Sequence, residues 1–128
     1  MTRQFAAFLL AGGVAAAANV GARLVFSRYF GLEVAVVLAY LVGMAVAFAL
    51  MRSRVFPAAA GSLARQISMF TVINAVAVLQ TLVVTIVLAR WALPATGMEE
   101  HVEDLAHVVG VCVPIVTSFF GHKYVSFR

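Results

Sequence analysis

The sequence predicts an all-α integral membrane protein: a four-helix bundle built from two tandem, parallel helical-hairpin repeats, with both termini in the cytoplasm. Three observations carry this prediction. The 128 residues are 64% hydrophobic and only 11% charged, where a soluble domain carries roughly 25% charged residues. Four apolar runs are long enough to cross a hydrocarbon core of about 30 Å, which needs roughly 20 residues each. The basic residues between those runs fall mainly on one side.

The first run covers residues 5–26 and is free of charge until Arg23. The second covers 34–51 and the third 67–89, both without a charged side chain. The fourth covers 105–121 and holds only His107 near its start. The spans and their short links use nearly the whole chain, which reads as a single transmembrane domain with no room for a soluble catalytic one. The links are 28–33, with Gly31 as breaker, 52–65, with Pro57 and Gly61, and 90–104, with Trp91, Pro94 and Gly97. The first run lacks a cleavage site followed by a soluble region, so it reads as a retained helix.

Charge placement sets the orientation. Arg3, Arg52, Arg54, Arg65, Lys123 and Arg128 share one side of a four-span layout. Arg28 and Arg90 lie opposite, together with Glu33, Glu99, Glu100, Glu103 and Asp104. Basic loops stay in the cytoplasm, which predicts a multi-pass membrane protein with both ends inside. The net charge of +4 is then a topology signal, and nucleic acid is not an expected partner. Cys112 is the only cysteine, so no intrachain disulfide forms.

The two halves resemble each other. Arg3, Gln4 and Phe8 recur as Arg65, Gln66 and Phe70, an offset of 62. Phe48, Arg52 and Phe56 recur as Phe119, Lys123 and Phe127, an offset of 71. The difference fits a longer outer loop in the second half. Both halves start inside, so the repeats are parallel. Sites in repeat-built transporters lie between repeats near the midplane.

Polar residues inside the spans follow the repeat. Gly12, Ala16, Asn19 and Arg23 share one helix face, and Asn74, Val78, Thr81 and Thr85 repeat that spacing. Polar groups in hydrocarbon face a protein interior or a wet cavity. Asn19, Asn74 and Thr81 are therefore candidate contacts for a polar head group, and interhelical hydrogen bonding is the alternative. Arg23 is the one charge inside a span. Its guanidinium matches phosphate oxygens in a fork, and it also lies within snorkelling reach of the outer interface. Arg52 and Arg54, with His122 and Lys123, form basic clusters at the inner ends of the second and fourth helices, where anionic lipid heads are drawn. Gly12, Gly13 and the Gly43/Ala47 pair read as close-packing surfaces, and Pro114 as a kink. No catalytic constellation is present, so an enzyme is not expected, and neither is a cofactor. The grouping of His101, Glu103, Asp104 and His107 lacks metal-ligand spacing.

Two segments carry a family resemblance. The run from Phe8 through Gly12 and Gly13 is similar to a Phe-x3-Gly-Gly opening. Each half closes on a pattern similar to Asn-Phe-x2-Asn-Arg-x-Trp-x-Phe. The first copy runs from Ala47 to Phe56 and the second from Ser118 to Phe127. The Phe and basic positions hold in both, while both Asn and the Trp are replaced. The chain thus resembles the GtrA-like family of four-span bacterial membrane proteins.

That resemblance implies translocation of a polyprenyl-phosphate-linked sugar for cell-surface polysaccharide or cell-wall glycan synthesis. On this reading Arg52 and Lys123 capture the phosphate inside, Asn19, Asn74 and Thr81 hydrogen-bond the sugar, and Arg23 receives the phosphate outside. The prenyl tail stays among the membrane lipids. A homodimer is expected, since four thin helices make a narrow path wall. The alternative is a non-transporting scaffold that recruits or stabilises a glycosyltransferase. A small multidrug exporter fits less well, because the first span offers an Arg where a carboxylate would bind cationic drugs.

Overall fold

In the computed structural model the described residues are 1–97 and 99–128, with the side chains of Glu103 and Asp104 outside the description. The described residues form helices and turns and no strand. Four helices are long and apolar enough to span a membrane: Thr2–Phe26, Leu32–Val55, Leu63–Ala95 and Leu105–Ser126. Most of their large apolar side chains are exposed, Leu10 at 72% and Val37 at 60% among them. Apolar faces of this extent need lipid around them. The protein is a multi-pass membrane protein.

The chain divides into two compact units, Met1–Ala60 and Gly61–Arg128. In unit 1, helix α1 (Thr2–Phe26) turns through residues 27–31 into helix α2 (Leu32–Leu50). Gly31 caps α2 in an extended conformation, and Glu33 stands in its first turn, where the helix dipole favours an acid. The α1 side chains that go under are Phe8, Ala11 and Ala15; from α2 they are Ala35, Ala39 and Gly43. Spacings of three and four put each set on one face, and their small size lets the two backbones approach closely. The last turn of α2 widens into a π-helical turn, π1 (Met51–Val55).

Unit 2 repeats this plan. Helix α3 (Leu63–Val87) starts at Ser62, whose hydroxyl accepts from the Arg65 N–H at 3.2 Å. Gly61 before it has φ +99°, a left-handed geometry that glycine adopts without strain. Helix α3 continues through a π-helical turn, π2 (Leu88–Ala92), into the short α4 (Leu93–Ala95). Helix α5 (Val102–Gly121) returns and ends in a third π-helical turn, π3 (His122–Ser126).

The offset of 71 aligns the buried positions of the two units. Ala35, Ala39 and Gly43 correspond to Ala106, Gly110 and Pro114, and Met51, Val55 and Phe56 to His122, Ser126 and Phe127. All twelve are buried. The turns π1 and π3 obey the same offset, and each closes with the same bond. Phe56 N–H donates to the Met51 carbonyl at 2.7 Å, and Phe127 N–H to the His122 carbonyl at 2.9 Å.

Three expectations change. The links are shorter than hydropathy suggests: α3 and its continuation reach Ala95, and α5 begins at Val102, so the predicted loop 90–104 shrinks to residues 96–101. Hydropathy marks where the bilayer ends, whereas helical hydrogen bonding continues into the interface. Pro94 lies in the last turn of this continuation, which ends one residue later at Ala95, so its missing N–H costs one bond at a helix end. Gly12 and Gly13 are not packing surfaces within unit 1, since among the described residues a Cβ at either meets nothing within 4 Å. Gly43 is one: a Cβ there would stand 3.0 Å from Asn19 Cβ and 3.3 Å from the Ala15 carbonyl oxygen.

Candidate functional site

The end of each unit that carries Gln4 or Gln66 is the best-built part of the molecule. In unit 1, Met51, Val55 and Phe56 fill the inside of the turn and leave Arg52 and Arg54 turned outward and exposed. Gln4, from the start of α1, donates its amide N–H to the Val55 carbonyl at 3.1 Å. That bond ties the first helix to the turn after the second. It also meets a carbonyl that the end of the helix leaves without an internal partner.

In unit 2 the same positions are polar. Gln66, His122 and Ser126 are all at most 1% exposed. His122 Nδ1 and Ser126 Oγ lie 3.1 Å apart. The imidazole stacks on Phe70 with ring centroids 4.8 Å apart. With these side chains inside, Lys123 turns out. Its ammonium sits 5.8 Å from the Phe119 ring centre and 5.6 Å from that of Tyr124. A cation held near two ring faces keeps its charge and its N–H donors available to a third group. Tyr124, itself stacked on Phe120, is exposed. An amphipathic ring favours the membrane interface.

Arg23 occupies the last turn of α1, at the opposite end of the hairpin from Arg52, and is half-buried. A cation near a helix C-terminus is favoured by the helix dipole. The backbone carbonyl of Arg23 accepts from the Ser27 hydroxyl at 2.7 Å.

Between the ends, Asn19 sits one turn before Arg23 and faces α2 in the space that Gly43 leaves. Asn74 is spent locally: its amide N–H donates to the Phe70 carbonyl of its own helix at 2.9 Å. The backbone of Thr81 runs against α5, its carbonyl oxygen 3.0 Å from where a Gly110 Cβ would be. Thr85 Oγ1, at the repeat position of Arg23, is buried and has no hydrogen-bond partner among the described residues.

The structure therefore sets Asn19 and Arg23 on successive turns at one end of unit 1 and Arg52 at the other. In unit 2, Asn74 and Thr81 lie along α3, and Lys123 stands past the end of α5. Sequence reasoning passed over two arrangements. One is the buried group of Gln66, His122 and Ser126: Gln66 registered as a mark of the repeat and His122 as part of a basic cluster with Lys123, whereas His122 is buried against Ser126 and Phe70. The other is a bond from the Thr117 hydroxyl to Gln80 Oε1 at 2.7 Å. Gln80 stands off the polar stripe that drew attention to its neighbours. Among the described residues no group of three or more His, Cys, Asp or Glu could hold a metal ion. Glu103 and Asp104, part of the grouping weighed above, lie outside the described side chains.

Two hairpins closed by matching turns, each with a basic residue at the same register, are the arrangement that a family comparison can test. The sequence profile described as "GtrA/DPMS, transmembrane domain" matches residues 7–127. The chain belongs to this family. The match takes in both hairpins and all three π-helical turns. No curated protein and no solved structure matches the chain. Membership of the GtrA/DPMS family gives the chain a membrane function related to glycosyl carriers, in a family that is generally of non-catalytic, transporter type.

Proposed function

We propose that this protein moves a polyprenyl-phosphate-linked sugar across the bacterial cytoplasmic membrane for cell-surface polysaccharide or cell-wall glycan synthesis. Both termini then lie inside, as the basic bias of the loops favours. The observation that carries the reading is the pair of π-helical turns. At one register of each stands a basic residue next to a buried one: Arg52, exposed, after Met51, and Lys123, half-buried beside the Phe119 and Tyr124 rings, after His122. Such residues meet a lipid phosphate at the membrane surface, where its charge need not enter hydrocarbon bare.

Each candidate has a role that its place supports. Arg52 and Lys123 bind the phosphate on the inner side. Asn19 and Thr81 offer hydrogen bonds to sugar hydroxyls along the hairpins. Asn74 contributes after giving up its bond to Phe70. Arg23, at the outer end of α1, receives the phosphate after crossing. The prenyl chain remains in lipid beside the exposed apolar faces.

Native mass spectrometry of the detergent-purified protein tests this. Polyprenyl phosphate should be retained over neutral polyprenol. Arg52→Gln and Lys123→Gln should each weaken retention about fivefold, the effect of losing one basic group near a membrane surface. Equal retention of both lipids removes the phosphate-capture role. Co-purification of a glycosyltransferase by a protein that does not discriminate between them would establish the scaffold reading in its place.

A further inference from the structure

The amide of Gln80 is the polar group in this molecule whose surroundings fit its chemistry least. Gln80 stands near the middle of the third span. About 15 Å of helical rise separates it from Arg90, the nearest charged residue along α3 toward the outer end, and more separates it from Arg65 at the inner end. It is half-buried, and its partner Thr117 is exposed, so the pair lies on the outer face of unit 2. Valines and a phenylalanine at helical spacing surround it: Val76 and Val83 on α3, Val113 and Phe120 on α5, all exposed.

One hydrogen bond does not satisfy this amide. A Gln side chain offers two N–H donors and two carbonyl lone pairs. Thr117 Oγ1 lies 2.7 Å from Gln80 Oε1 and 3.3 Å from the Pro114 carbonyl, and its single proton serves the shorter contact. That uses one lone pair and leaves both N–H donors and the second lone pair. Turning the amide over changes which half is left and not the fact of a remainder. Lipid tails supply no partner, and an unmet polar group in hydrocarbon costs several kcal/mol. Unit 1 shows that the fold does not need the pair. At the corresponding positions it has Ala18 and Val46.

We infer that Gln80 is the centre of a contact with a second copy of this chain, in which the two Gln80 amides pair reciprocally across a twofold axis. Most of the remainder is self-complementary: each Nε2 donates one N–H to the partner's Oε1, which still accepts from its own Thr117, and one N–H of each amide is left over. A twofold contact places the same patch on both sides, so one residue near the axis meets itself. The flanking valines pack around the bond as short, stiff side chains that lose little freedom. Polar side chains between membrane helices act as such glue. This contact does not depend on the identity of the carried lipid.

The test uses the full chain in mild detergent and in vesicles. Gln80→Leu keeps the volume and removes the amide, and it should raise the dimer dissociation constant about tenfold per pair of bonds lost. Thr117→Val should leave the dimer in place, because the reciprocal bonds remain. A second measurement keeps Gln80 intact. In a Cys112→Ser background, Val76→Cys and Val83→Cys should each form a disulfide-linked dimer on mild oxidation, and Val78→Cys, on the far side of the helix, should not. A monomeric wild-type protein overturns the inference, as does a dimer indifferent to Gln80→Leu or cross-linking equally from Val78→Cys. Loss of lipid-linked sugar with an unchanged dimer in Gln80→Leu also overturns it, and assigns the amide to the cargo.

Discussion

Unit 1 and unit 2 share a shape and differ in what fills it. Both are hairpins with small residues where the helices cross, and both end in a π-helical turn closed by a Phe N–H. Unit 1 fills its turn with Met51 and Val55, while unit 2 fills the same positions with His122 and Ser126. At the crossing, Gly43 gives room to Asn19, and Gly110 gives room to Thr81 and Thr85. The comparison teaches that the repeat fixes volumes and backbone bonds, and that polarity is free to vary wherever the added group finds a partner inside its own unit. Unit 2 has used that freedom more: it holds the buried polar turn and the Gln80–Thr117 pair, while the Thr85 hydroxyl, buried with no partner among the described residues, stands outside the rule.

The largest effect should come at the crossings. A Cβ on Gly110 would overlap Thr85 Oγ1 and stand 3.0 Å from the Thr81 carbonyl oxygen and 3.3 Å from the Thr85 nitrogen. Backbone atoms cannot swing away as a side chain can. Gly110→Ala should cost about 2–3 kcal/mol by overpacking, read from unfolding in mixed micelles. Gly43→Ala meets Asn19 Cβ at 3.0 Å and the Ala15 carbonyl oxygen at 3.3 Å, close contacts with no overlap, and should cost less, about 1 kcal/mol. Equal losses would mean that the two crossings are not tuned differently.

The polar turn comes next. His122→Met alone leaves the buried Ser126 hydroxyl without its partner and should cost about 1–3 kcal/mol. Adding Ser126→Val reproduces the filling of unit 1 and should recover most of that loss. The coupling in the double-mutant cycle should therefore be favourable by at least about 0.5 kcal/mol. Simple additivity would show that His122 and Ser126 act separately and that unit 1 is no guide to unit 2.

A smaller effect is expected at Gln4. Gln4→Leu removes one bond to the Val55 carbonyl at a half-buried site, which should cost about 1 kcal/mol. Gln66 is wholly buried at the equivalent place, so Gln66→Leu should cost more. The difference between the two would measure how far burial, and not the bond itself, sets the contribution.

Much of this was legible in the sequence for stated reasons. The spans appear because lipid demands long apolar runs, and the hairpin repeat appears because its marks, Arg-Gln and the spaced Phe residues, are rare in such runs. The π-helical turns were not legible, since their width depends on which neighbours go inside, and Met51 and His122 share no chemistry. Asn74 showed in the sequence as a polar residue on a promising face, but the composition of a face does not reveal that its amide turns back to Phe70. Gln80 was passed over for the opposite reason. It breaks the stripe, and only the approach of Thr117 from another helix reveals it. Gly43 was readable because a small residue in a packed helix needs no chosen partner, whereas the partner of an amide does not show in the sequence, on its own helix for Asn74 or on another for Gln80.

The smallest effect is the one most open to surprise. Gly12 and Gly13 form part of the opening that the family resemblance rests on, yet among the described residues a Cβ at either meets nothing within unit 1. Glycine in a helix interior costs about 0.5–1 kcal/mol relative to alanine. If the space beside these residues holds only lipid, Gly12→Ala and Gly13→Ala should each leave stability unchanged or raise it by up to about 1 kcal/mol, with retention of polyprenyl phosphate intact. A stability gain accompanied by lost retention would mean that the cargo passes against this backbone and needs it bare. At the repeat position of Gly12, unit 2 has Asn74, whose amide is turned back onto its own helix. The face that unit 1 keeps bare is therefore one that unit 2 fills with a self-satisfied side chain, and substituting Gly12 by Asn as well as by Ala asks whether the two fillings are equivalent.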